Sequence, residues 1–330
     1  MRWGIVGYGW VARDYMAPAL REAGGALAAV ADPHPAARAR AASSGVAAFA
    51  SAQEMLGSGA CDLVYVATPN HRHAEPVAIA AQAGLPVLCE KPMAASLVDA
   101  EAMTTTVTQA GILYGTAFDQ RYHPAHQVIR AGIAAGEIGR PVSLRIAYAC
   151  WLGPDWSQGD APNWRADPDA AGGGAVMDLA LHGLDLAEHL LGEPIVDLTV
   201  MLQRRIHAYP VEDGGMLIAR TAGGVLIQLH VAYNCPDALP RRRLEILGDA
   251  GQFTAIDTMG QTAGGRLIRT CGRTGIPEEV PFDKAASPFA LQAVAFEAAA
   301  QGAPHDWCCQ RDLRLMRMFD AAYREAQLCL

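Results

Sequence analysis

The sequence predicts an α/β protein with two domains: a doubly wound parallel sheet followed by a domain built on a mostly antiparallel sheet. Three observations support this prediction. Short apolar runs alternate with helical segments in the first third of the chain, and a glycine-rich turn follows the first run. Later apolar runs lack intervening helices long enough for parallel crossovers. The length of 330 residues is also typical of two domains.

The first strand leads directly into a glycine-rich turn and the start of a helix. The turn reads Gly7-Tyr8-Gly9-Trp10-Val11-Ala12 and fits a dinucleotide-binding pattern. Gly7 permits the tight turn, Gly9 lets the backbone contact a pyrophosphate, and Ala12 lets the helix pack close to the strand. Asp32, which follows the next apolar run, is placed to bind ribose hydroxyls. The alternative is a glycine turn in another kind of strand–helix unit.

The first domain is predicted to span residues 1–118. Its strands are Arg2–Val6, Ala26–Ala31, Val46–Phe49, Asp62–Ala67, Pro86–Cys89 and Ile112–Ala117. Its helices span about 10–23, 35–43, 51–57, 71–83 and 96–110. Ligands of such sheets bind beyond the carboxyl ends of the strands, so three following segments are predicted to line the cofactor site. These segments are 68–71, 90–92 and 119–123.

The second domain is predicted to span residues 119–330. A helix from Pro124 to Gly136 precedes the strand-like runs, and two helices, 288–301 and 310–327, end the chain. The runs are Val142–Trp151, Val196–Arg204, Met216–Thr221, Val225–Tyr233, Leu244–Leu247 and Gln252–Ile256, with a hairpin turn at 222–224. One long irregular segment, Leu152 to Gly174, carries Trp156, Asn163, Trp164 and Arg165. Long loops in compact domains are usually functional.

A narrow polar face marks the helix predicted for Met177–Leu191. The other positions are largely apolar, which is typical of a buried helix. The polar face consists of Asp178, His182, Asp185 and His189, at spacings of i, i+4, i+7 and i+11. Because charges are not buried without partners, we expect this face to line an internal polar cleft. The alternative is the solvent edge of an amphipathic helix. Gly172-Gly173-Gly174 before the helix would allow close approach of backbone or ligand.

Lys91 is a second candidate for chemistry, because it follows a strand that ends at Cys89. A lysine at the carboxyl end of a strand can meet a nicotinamide ring and take part in acid–base chemistry. The following Pro92 can form a cis peptide bond, which would direct Lys91 into the cleft. The alternative is a surface lysine in a turn.

Composition excludes several classes of function. A net charge of −8 and a pI near 5.7 provide no basic surface for nucleic acid. No apolar run approaches the length of a membrane span, and the first strand does not resemble a signal peptide. Eight scattered cysteines without a C-x-x-C pair indicate a reducing, cytoplasmic compartment. We expect no metal site, since neither His71 with His73 nor His123 with His126 has further ligands nearby.

Four segments, in this order, resemble the glucose–fructose oxidoreductase / inositol dehydrogenase / MocA (Gfo/Idh/MocA) family over essentially the whole chain. They are Gly7–Ala12, Ala67-Thr68-Pro69-Asn70 with His73, Glu90-Lys91-Pro92, and Gly172-Gly173-Gly174 leading to Asp178-Leu179-Ala180-Leu181-His182. The resemblance implies an N-terminal Rossmann domain and a C-terminal α+β domain with a large open, mainly antiparallel sheet. It also implies a nicotinamide cofactor and hydride transfer at a carbinol or carbonyl carbon of a sugar, polyol or related small molecule. The loop with Trp164-Arg165 most resembles the sugar dehydrogenase and reductase branch.

The resemblance also implies roles for individual residues. In the family, the lysine of E-K-P and the aspartate and histidine of D-x-x-x-H surround the reacting oxygen, which points here to Lys91, Asp178 and His182. We expect His182 to be the acid–base group and Lys91 to polarise the oxygen, while Asp178 orients the histidine or a neighbouring hydroxyl. Ala180 departs from the family pattern, which often has a glycine midway between the aspartate and the histidine.

Further contacts are expected around these three residues. The expected cofactor contacts are Gly7, Gly9, Trp10, Val11, Ala12, Asp32, Thr68, Pro69, Asn70, His73, Glu90, Lys91, Gln120, Trp164 and Arg165. The expected substrate contacts are Lys91, Arg121, Tyr122, Trp164, Asp178 and His182, with His123 and Asp185 as further candidates for substrate or cofactor contact. Glu90 is expected to hold the nicotinamide ribose.

Asp32 favours NAD, because a carboxylate repels a 2′-phosphate; NADP is the alternative. Two other functions remain open for this fold: a cofactor-sensing regulator without turnover, and a nicotinamide-dependent glycosidase that releases no reduced cofactor. The exposed face of the second sheet must be covered, which predicts a homodimer or homotetramer.

Overall fold

The computed structural model describes residues 1–156 and 163–329. Its first sheet has six parallel strands in the order β3-β2-β1-β4-β5-β6. The strands are β1 (Arg2–Val6), β2 (Ala26–Ala31), β3 (Ala47–Phe49), β4 (Leu63–Val66), β5 (Val87–Cys89) and β6 (Tyr114–Thr116). The strand order reverses between β1 and β4, and doubly wound sheets bind their ligands at this reversal. The glycine turn after β1 lies there, as predicted.

Five helices connect these strands and cover the sheet. They are α1 (Ala17–Glu22), α2 (Pro35–Ser43), α3 (Ala52–Gly57), α4 (Ala74–Gln82) and α5 (Leu97–Ala110). A π-helical turn, Ala12–Met16, precedes α1, so the single helix predicted for 10–23 is irregular in its first half. Local signals fix the other ends: the Ser96 side chain accepts from the N–H of Asp99 at the start of α5, and Gly111 ends that helix with φ of 65°.

The second sheet has eight strands in the order β14-β13-β12-β11-β7-β10-β9-β8. They are β7 (Pro141–Ala149), β8 (Ile195–Gln203), β9 (Gly214–Thr221), β10 (Leu226–Ala232), β11 (Arg242–Gly248), β12 (Gly251–Ile256), β13 (Arg266–Cys271) and β14 (Pro277–Glu279). Neighbouring strands are antiparallel except β7 and β10, so the predicted mainly antiparallel sheet is confirmed. The sequence did not predict β13 or β14: β13 mixes charged and polar residues with its apolar ones, and the edge strand β14 has only three residues.

Four helices belong to the same half of the molecule: α6 (Pro124–Ala134), α7 (Pro168–Ala171), α8 (Ala175–Leu191) and, after one further helix, α10 (Cys309–Gln327). The helix α8, predicted from Met177, packs on the inner face of the sheet against β7, β9 and β10. Alternate residues of β9 point to the two faces of the sheet: Leu217 and Ala219 are buried on the inner face, beneath α8, whereas Met216 and Ile218 are exposed on the outer face.

The helix α9 (Pro288–Ala300) returns to the first domain. Phe289 and Phe296 belong to the hydrophobic cluster of Trp3 and Ile5 from β1, and α9 contacts α1. The partition into 1–118 and 119–330 therefore describes the two sheets but not α9, which completes the core of the first domain. The sequence pattern could not show this, because an apolar helix carries no signal that says which sheet it covers.

Across the described ranges, none of the helices is both long and apolar enough to span a bilayer.

Candidate active site

The glycine turn after β1 provides space for a phosphate group. Gly7 has φ of +87°, and a Cβ atom on it would lie 2.7 Å from the carbonyl oxygen of Ala67, so only glycine fits there. A Cβ atom on Gly9 would meet no atom within 4 Å, which leaves the space above the turn open. The helix that starts at Trp10 directs its first N–H groups towards this space. The turn therefore fits the pyrophosphate of a dinucleotide.

Asp32 lies beside the same turn, at the carboxyl end of β2. Its Oδ2 accepts from the N–H of Tyr8 and its Oδ1 from the N–H of His34, each at 2.8 Å. Arg38 Nη1 donates to the carbonyl oxygens of Asp32 at 2.8 Å and Pro33 at 2.7 Å. The structure thus places a carboxylate and a guanidinium side by side where the adenosine ribose was expected.

Lys91 and Asp178 join the two halves of the molecule. The Lys91–Pro92 peptide bond is cis, as the sequence analysis anticipated. Lys91 Nζ donates to Asp178 Oδ1 at 2.6 Å and to the carbonyl oxygen of Asp178 at 3.0 Å. The two side chains are only 12% and 20% exposed. This partly enclosed ion pair links the end of β5 to the first turn of α8.

Asp178 has a second partner that sequence reasoning missed. Tyr233, which directly follows β10, donates its hydroxyl group to Asp178 Oδ2 at 2.5 Å. Burial acts to raise the pKa of Asp178, but the charges of Lys91 and Arg165 and the hydrogen bonds from Lys91 and Tyr233 outweigh it and hold this pKa below its usual value. Asp178 is therefore a carboxylate whose two oxygens both accept hydrogen bonds. No sequence signal pointed to Tyr233, since its position depends on the register of β10.

The polar face of α8 is internal, not a solvent edge. Asp178 pairs with Lys91, His182 is 4% exposed, and Asp185 is 2% exposed and binds Arg121. His189 lies 3.8 Å from the carboxylate of Asp306. The face is internal as expected, but of its four residues only Asp178 lines the cleft.

His182 is 4% exposed and lies near a carboxylate that the sequence analysis did not select. Its Nδ1 is 3.3 Å from Oδ1 of Asp119, which follows β6 directly. The ring of Tyr148 packs edge-on against the imidazole, with ring centres 5.7 Å apart. Asp119 belongs to the segment 119–123 that the sequence places at the cofactor site, so its position after a strand was the available signal.

Glu90 is buried between β4 and β5. The hydroxyl group of Tyr65 donates to Glu90 Oε1, and burial raises the pKa of the Glu90 carboxyl. The backbone N–H of Lys91 donates to its Oε2 at 3.3 Å. The Glu90 carboxylate therefore lies against the backbone of Lys91, on the side of the first sheet.

Tryptophan side chains surround Arg165, which lines the cleft between the domains. We call Trp10, Trp156, Trp164 and Arg165 the tryptophan–arginine cluster. The guanidinium carbon lies 4.5 Å from the ring centre of Trp164, 4.8 Å from that of Trp156 and 5.8 Å from that of Trp10. Since Trp10 belongs to the glycine turn, the cluster connects the cofactor turn to the long loop. Residues 157–162 of that loop lie outside the described residues.

Residues from both domains line the cleft itself. Its lining residues are Asn70, Trp164, Arg165, Ala171, Gly173, Gly174, Asp178 and Tyr233. Asn70 Nδ2 also donates to the carbonyl oxygen of Ala171 at 2.9 Å, so this residue bridges the domains. Thr68 and Pro69 are half-buried at the end of β4.

Two predicted cofactor contacts are instead enclosed in the protein. His73 is fully buried, with Nε2 3.0 Å from the carbonyl oxygen of Thr68 and Nδ1 3.0 Å from that of Pro92. Burial lowers the pKa of His73 to about 4, so it is a neutral link between two loops. Gln120 is also fully buried, and its amide group is bonded to Asp119 and to the backbone of Gly260. Neither side chain reaches the surface of the cleft.

Two predicted substrate contacts are also used inside the fold. Arg121 is 2% exposed and donates to both carboxylate oxygens of Asp185, with Nε at 2.6 Å from Oδ2. Tyr122 stacks on Trp307, with ring centres 5.8 Å apart. A buried guanidinium needs a charged partner, so the Arg121 side chain is committed to holding α8 against the segment that follows β6.

The histidine pairs considered for metal binding have other partners. His71 Nδ1 is 3.2 Å from the carbonyl oxygen of Ala170, and His123 Nδ1 accepts from the N–H of Ala125 at the start of α6. His126 contacts the carbonyl oxygen of Gln120 and the hydroxyl group of Thr258. Within 1–156 and 163–329, there is no group of three or more His, Cys, Asp or Glu side chains that could hold a metal ion.

The side chain of Glu212 caps the N-terminal end of α8. Glu212 Oε1 accepts from the N–H groups of Gly174 at 2.9 Å and Val176 at 3.0 Å, and Tyr323 donates to Oε2 at 2.6 Å. A Cβ atom on Gly174 would lie 2.0 Å from the carbonyl oxygen of Glu212. The close approach predicted at the three glycines is therefore made by the protein backbone, which fixes the helix that carries Asp178.

We expect Glu212→Ala to lower the free energy of unfolding by about 2–3 kcal/mol, because it leaves buried N–H groups and the Tyr323 hydroxyl without an acceptor. Glu212→Gln should cost less than half of this, since its amide oxygen still accepts from the helix N–H groups. Urea unfolding of the two variants measures the difference. Equal losses for both variants would show that the charge, not the hydrogen bonds, stabilises this end of α8.

Comparisons with known proteins agree with this architecture. Residues 1–118 match the model of an oxidoreductase family with an NAD-binding Rossmann fold. Residues 126–254 match the model of the GFO/IDH/MocA C-terminal domain. The chain is 32% identical to a 1,5-anhydro-D-fructose reductase of Ensifer adhaerens over 304 residues, which are 91% of this chain and 88% of that protein. It is 35% identical to a D-xylose 1-dehydrogenase (NADP(+)) of Haloferax volcanii over 201 residues, 59% of this chain and 58% of that protein.

Solved structures share the fold at lower identity. An aldose–aldose oxidoreductase from Caulobacter crescentus, complexed with glycerol, superposes with a TM-score of 0.87 at 23% identity, covering 100% of this chain and 98% of that chain. A levoglucosan dehydrogenase in complex with NADH and levoglucosan superposes with a TM-score of 0.86 at 22% identity, covering 99% and 97%.

Proposed function

Because this chain belongs to the Gfo/Idh/MocA family of NAD-binding oxidoreductases, we propose that its cleft transfers a hydride between a nicotinamide cofactor and a carbinol or carbonyl carbon of a sugar or polyol. The relatives named above act on sugars by name, and the cleft has the polar lining that such substrates need. The observation that carries the proposal is the Lys91–Asp178 ion pair between the two domains, with His182 one helical turn after Asp178 on α8.

Lys91 has one donor left for a substrate. A lysine ammonium group carries three N–H bonds, and the two contacts to Asp178 use two of them. The third is available to a substrate oxygen, where it would stabilise negative charge that develops during the reaction. Asp178 and Tyr233 hold the ammonium group in place, so the role of Asp178 is to fix Lys91 rather than to orient His182.

His182 is the proposed acid–base group. In the oxidation direction it takes the proton of the substrate hydroxyl group, and in the reduction direction it returns this proton to the oxygen. The bound nicotinamide supplies the hydride acceptor or donor, and the glycine turn, Asp32 and the tryptophan–arginine cluster would hold it. Glu90, buried behind Lys91, contributes a carboxylate next to the expected nicotinamide ribose.

The test is a panel of sugars, polyols and keto-sugars assayed with NAD and NADP while reduced cofactor is followed by absorbance. Stoichiometric reduction of the cofactor by at least one sugar or polyol, or its oxidation by a keto-sugar, supports the proposal. Cofactor binding without any turnover would favour a regulator of this fold. Hydrolysis of a glycoside without net reduction of the cofactor would favour a nicotinamide-dependent glycosidase.

NAD is the proposed preferred cofactor, since the Asp32 carboxylate occupies the ribose end of the site. We expect Asp32→Ala to shift the ratio of the NADP and NAD dissociation constants towards NADP by about 10-fold or more, or about 1.4 kcal/mol. Removal of the carboxylate ends its repulsion of a 2′-phosphate, while Arg38 stays beside the site. Fluorescence titration with both reduced cofactors measures the ratio. Asp197→Ala, which changes an exposed aspartate of β8, is the control and should leave the ratio unchanged. An unchanged ratio in Asp32→Ala would contradict the assignment.

A homodimer or homotetramer is proposed through the outer face of the second sheet. The exposed apolar side chains of β8, β9 and β10 include Met201 (70%), Met216 (46%), Ile218 (62%) and Leu226 (55%). Met201 pairs with Met216 across β8 and β9, which makes the exposed apolar surface continuous. Exposed patches of this kind mark protein–protein contacts.

Light scattering after size exclusion at micromolar concentration should give a dimer or tetramer. Ile218→Arg combined with Met216→Arg should give a monomer, because two charges cannot be buried without partners. Val98→Arg, an equally exposed apolar position on α5, should leave the assembly unchanged. A monomeric parent protein would refute the proposal.

We propose a cytoplasmic location because the cysteines, all within the described residues, form no disulfide bonds with one another. All eight are free thiols, and Cys61 and Cys89 are buried beside the strands of the first sheet. Free thiols persist in reducing compartments.

A further inference from the structure

We propose that Asp119 is the positioning residue of His182: it keeps the proton on Nδ1 and so leaves Nε2 as the nitrogen that exchanges a proton with the substrate. This inference rests on the proposed function. It assigns to Asp119 a task that the D-x-x-x-H pattern would give to Asp178.

The surroundings of Nδ1 carry the inference. This atom is fully enclosed, and no described residue forms an aligned hydrogen bond with it. The nearest acceptor is Asp119 Oδ1 at 3.3 Å, close enough for contact but not in line. Catalytic hydrogen bonds are often long or misaligned before substrate binds. A bare Nδ1 would direct its lone pair at a carboxylate, whereas a protonated Nδ1 directs a donor at it, so the carboxylate favours the Nδ1–H form.

Asp119 is itself held in one orientation. Gln120 Nε2 donates to Asp119 Oδ2 at 2.9 Å and to the carbonyl oxygen of Gly260 at 2.8 Å. With its amide oxygen turned towards them, Gln292 of α9 accepts from the backbone N–H groups of Phe118 and Asp119. The carboxylate is 3% exposed, so water competes little for Oδ1. The oxygen that faces His182 therefore has no other strong partner among the described residues.

Asp178 is not available for this task, although it lies one helical turn before His182. Its Oδ1 accepts from Lys91 and its Oδ2 from Tyr233. The site thus contains two separate pairs: Asp178 fixes the ammonium group of Lys91, and Asp119 fixes the imidazole of His182. When His182 Nε2 takes the proton of the substrate hydroxyl group, both ring nitrogens carry protons, and the Asp119 carboxylate stabilises the positive charge that forms.

The test is Asp119→Asn. Because Gln120 presents an N–H donor at the Oδ2 position, the new amide should place its oxygen there and its NH2 group towards His182. Nδ1 must then accept, and the proton moves to Nε2, where it blocks uptake of the substrate proton. We expect kcat to fall by about 10²–10⁴-fold, with the NADH dissociation constant within about 2-fold of the parent value.

Nitrogen NMR of the labelled protein provides a readout that a structural role would not change. The parent His182 should show a protonated Nδ1, and Asp119→Asn should show a protonated Nε2. A parent protein with the proton on Nε2 would overturn the inference without any variant, even if Asp119→Asn did not fold. Asp320→Asn, a carboxylate of α10 that is 9% exposed and pairs with Arg324, is the control and should keep the parent rate.

A double-mutant cycle separates this inference from the proposed function. In a His182→Asn background, Asp119→Asn should cause no further loss of kcat, because Asp119 acts through the imidazole. If His182→Asn is slow while Asp119→Asn runs at the parent rate, the inference is wrong and the proposed function stands. If His182→Asn itself runs at the parent rate, the proposed function loses its acid–base group.

Discussion

Lys91→Met is expected to lower kcat for the sugar substrate by about 10²–10⁴-fold. Methionine keeps much of the side-chain length but cannot donate to a substrate oxygen, and it leaves Asp178 without its ammonium partner. Cofactor affinity should change little, because the glycine turn and Asp32 lie on other strands. Steady-state kinetics together with NADH titration measures both quantities.

Lys284→Met is the matched control, because Lys91 and Lys284 are the only two lysines of the chain. Lys284 is 51% exposed and pairs with Glu279 in the second domain. Its replacement should leave kcat at the parent value. Parent-level turnover in Lys91→Met would remove the lysine from the mechanism, whatever the cofactor affinity.

His182→Asn is expected to have a similarly large effect, about 10²–10⁴-fold on kcat, because it removes the group that exchanges a proton with the substrate. Asparagine is small enough for this buried position and retains polar atoms near Asp119. NADH affinity should again stay close to the parent value. His305→Asn, an exposed histidine between α9 and α10, is the control.

A loss of NADH binding equal to the loss of turnover would contradict the acid–base role of His182. It would show that the imidazole supports the cofactor site rather than the substrate. A fall in kcat with unchanged NADH affinity supports the assignment.

Local patterns predicted much of the fold. The glycine turn, the parallel strands and the long helix α8 each carry a periodicity or a turn chemistry that is read directly from neighbouring residues. Strands β13 and β14 carry neither, since the charged residues of β13 and the three-residue length of the edge strand β14 resemble a loop. The return of α9 depends on contacts with β1 nearly 300 residues away, and no local pattern records them.

Site residues could be predicted where a polar or charged side chain closely follows the end of a strand. Lys91 and the segment that contains Asp119 were placed at the cofactor site on this basis, and the structure brings both to the polar face of α8. The same reasoning also placed Gln120 and Arg121 in contact with ligands, whereas the structure buries them in internal hydrogen bonds and an ion pair. Position after a strand predicts the region but not the direction of a side chain.

Partners from distant strands were beyond sequence reasoning. Tyr233 reaches Asp178 only because β10 lies beside β7 in one register, and Glu212 reaches the start of α8 only through the loop before β9. A carboxylate paired with a tyrosine or with backbone N–H groups leaves no spacing pattern. Such partners decide which tasks each carboxylate can perform, and they are the reason why the roles proposed for Asp178 and Asp119 differ from the expectation.

The path of α9 has a consequence for biosynthesis. The nucleotide-binding half is translated first, yet Phe289 and Phe296, which complete the hydrophobic cluster of Trp3 and Ile5, lie in residues 288–300. This half cannot finish its interior until nearly the entire polypeptide has left the ribosome, so its maturation is late rather than stepwise during synthesis. A gene fragment that ends after the sixth parallel strand would encode a sheet with one apolar face exposed to solvent.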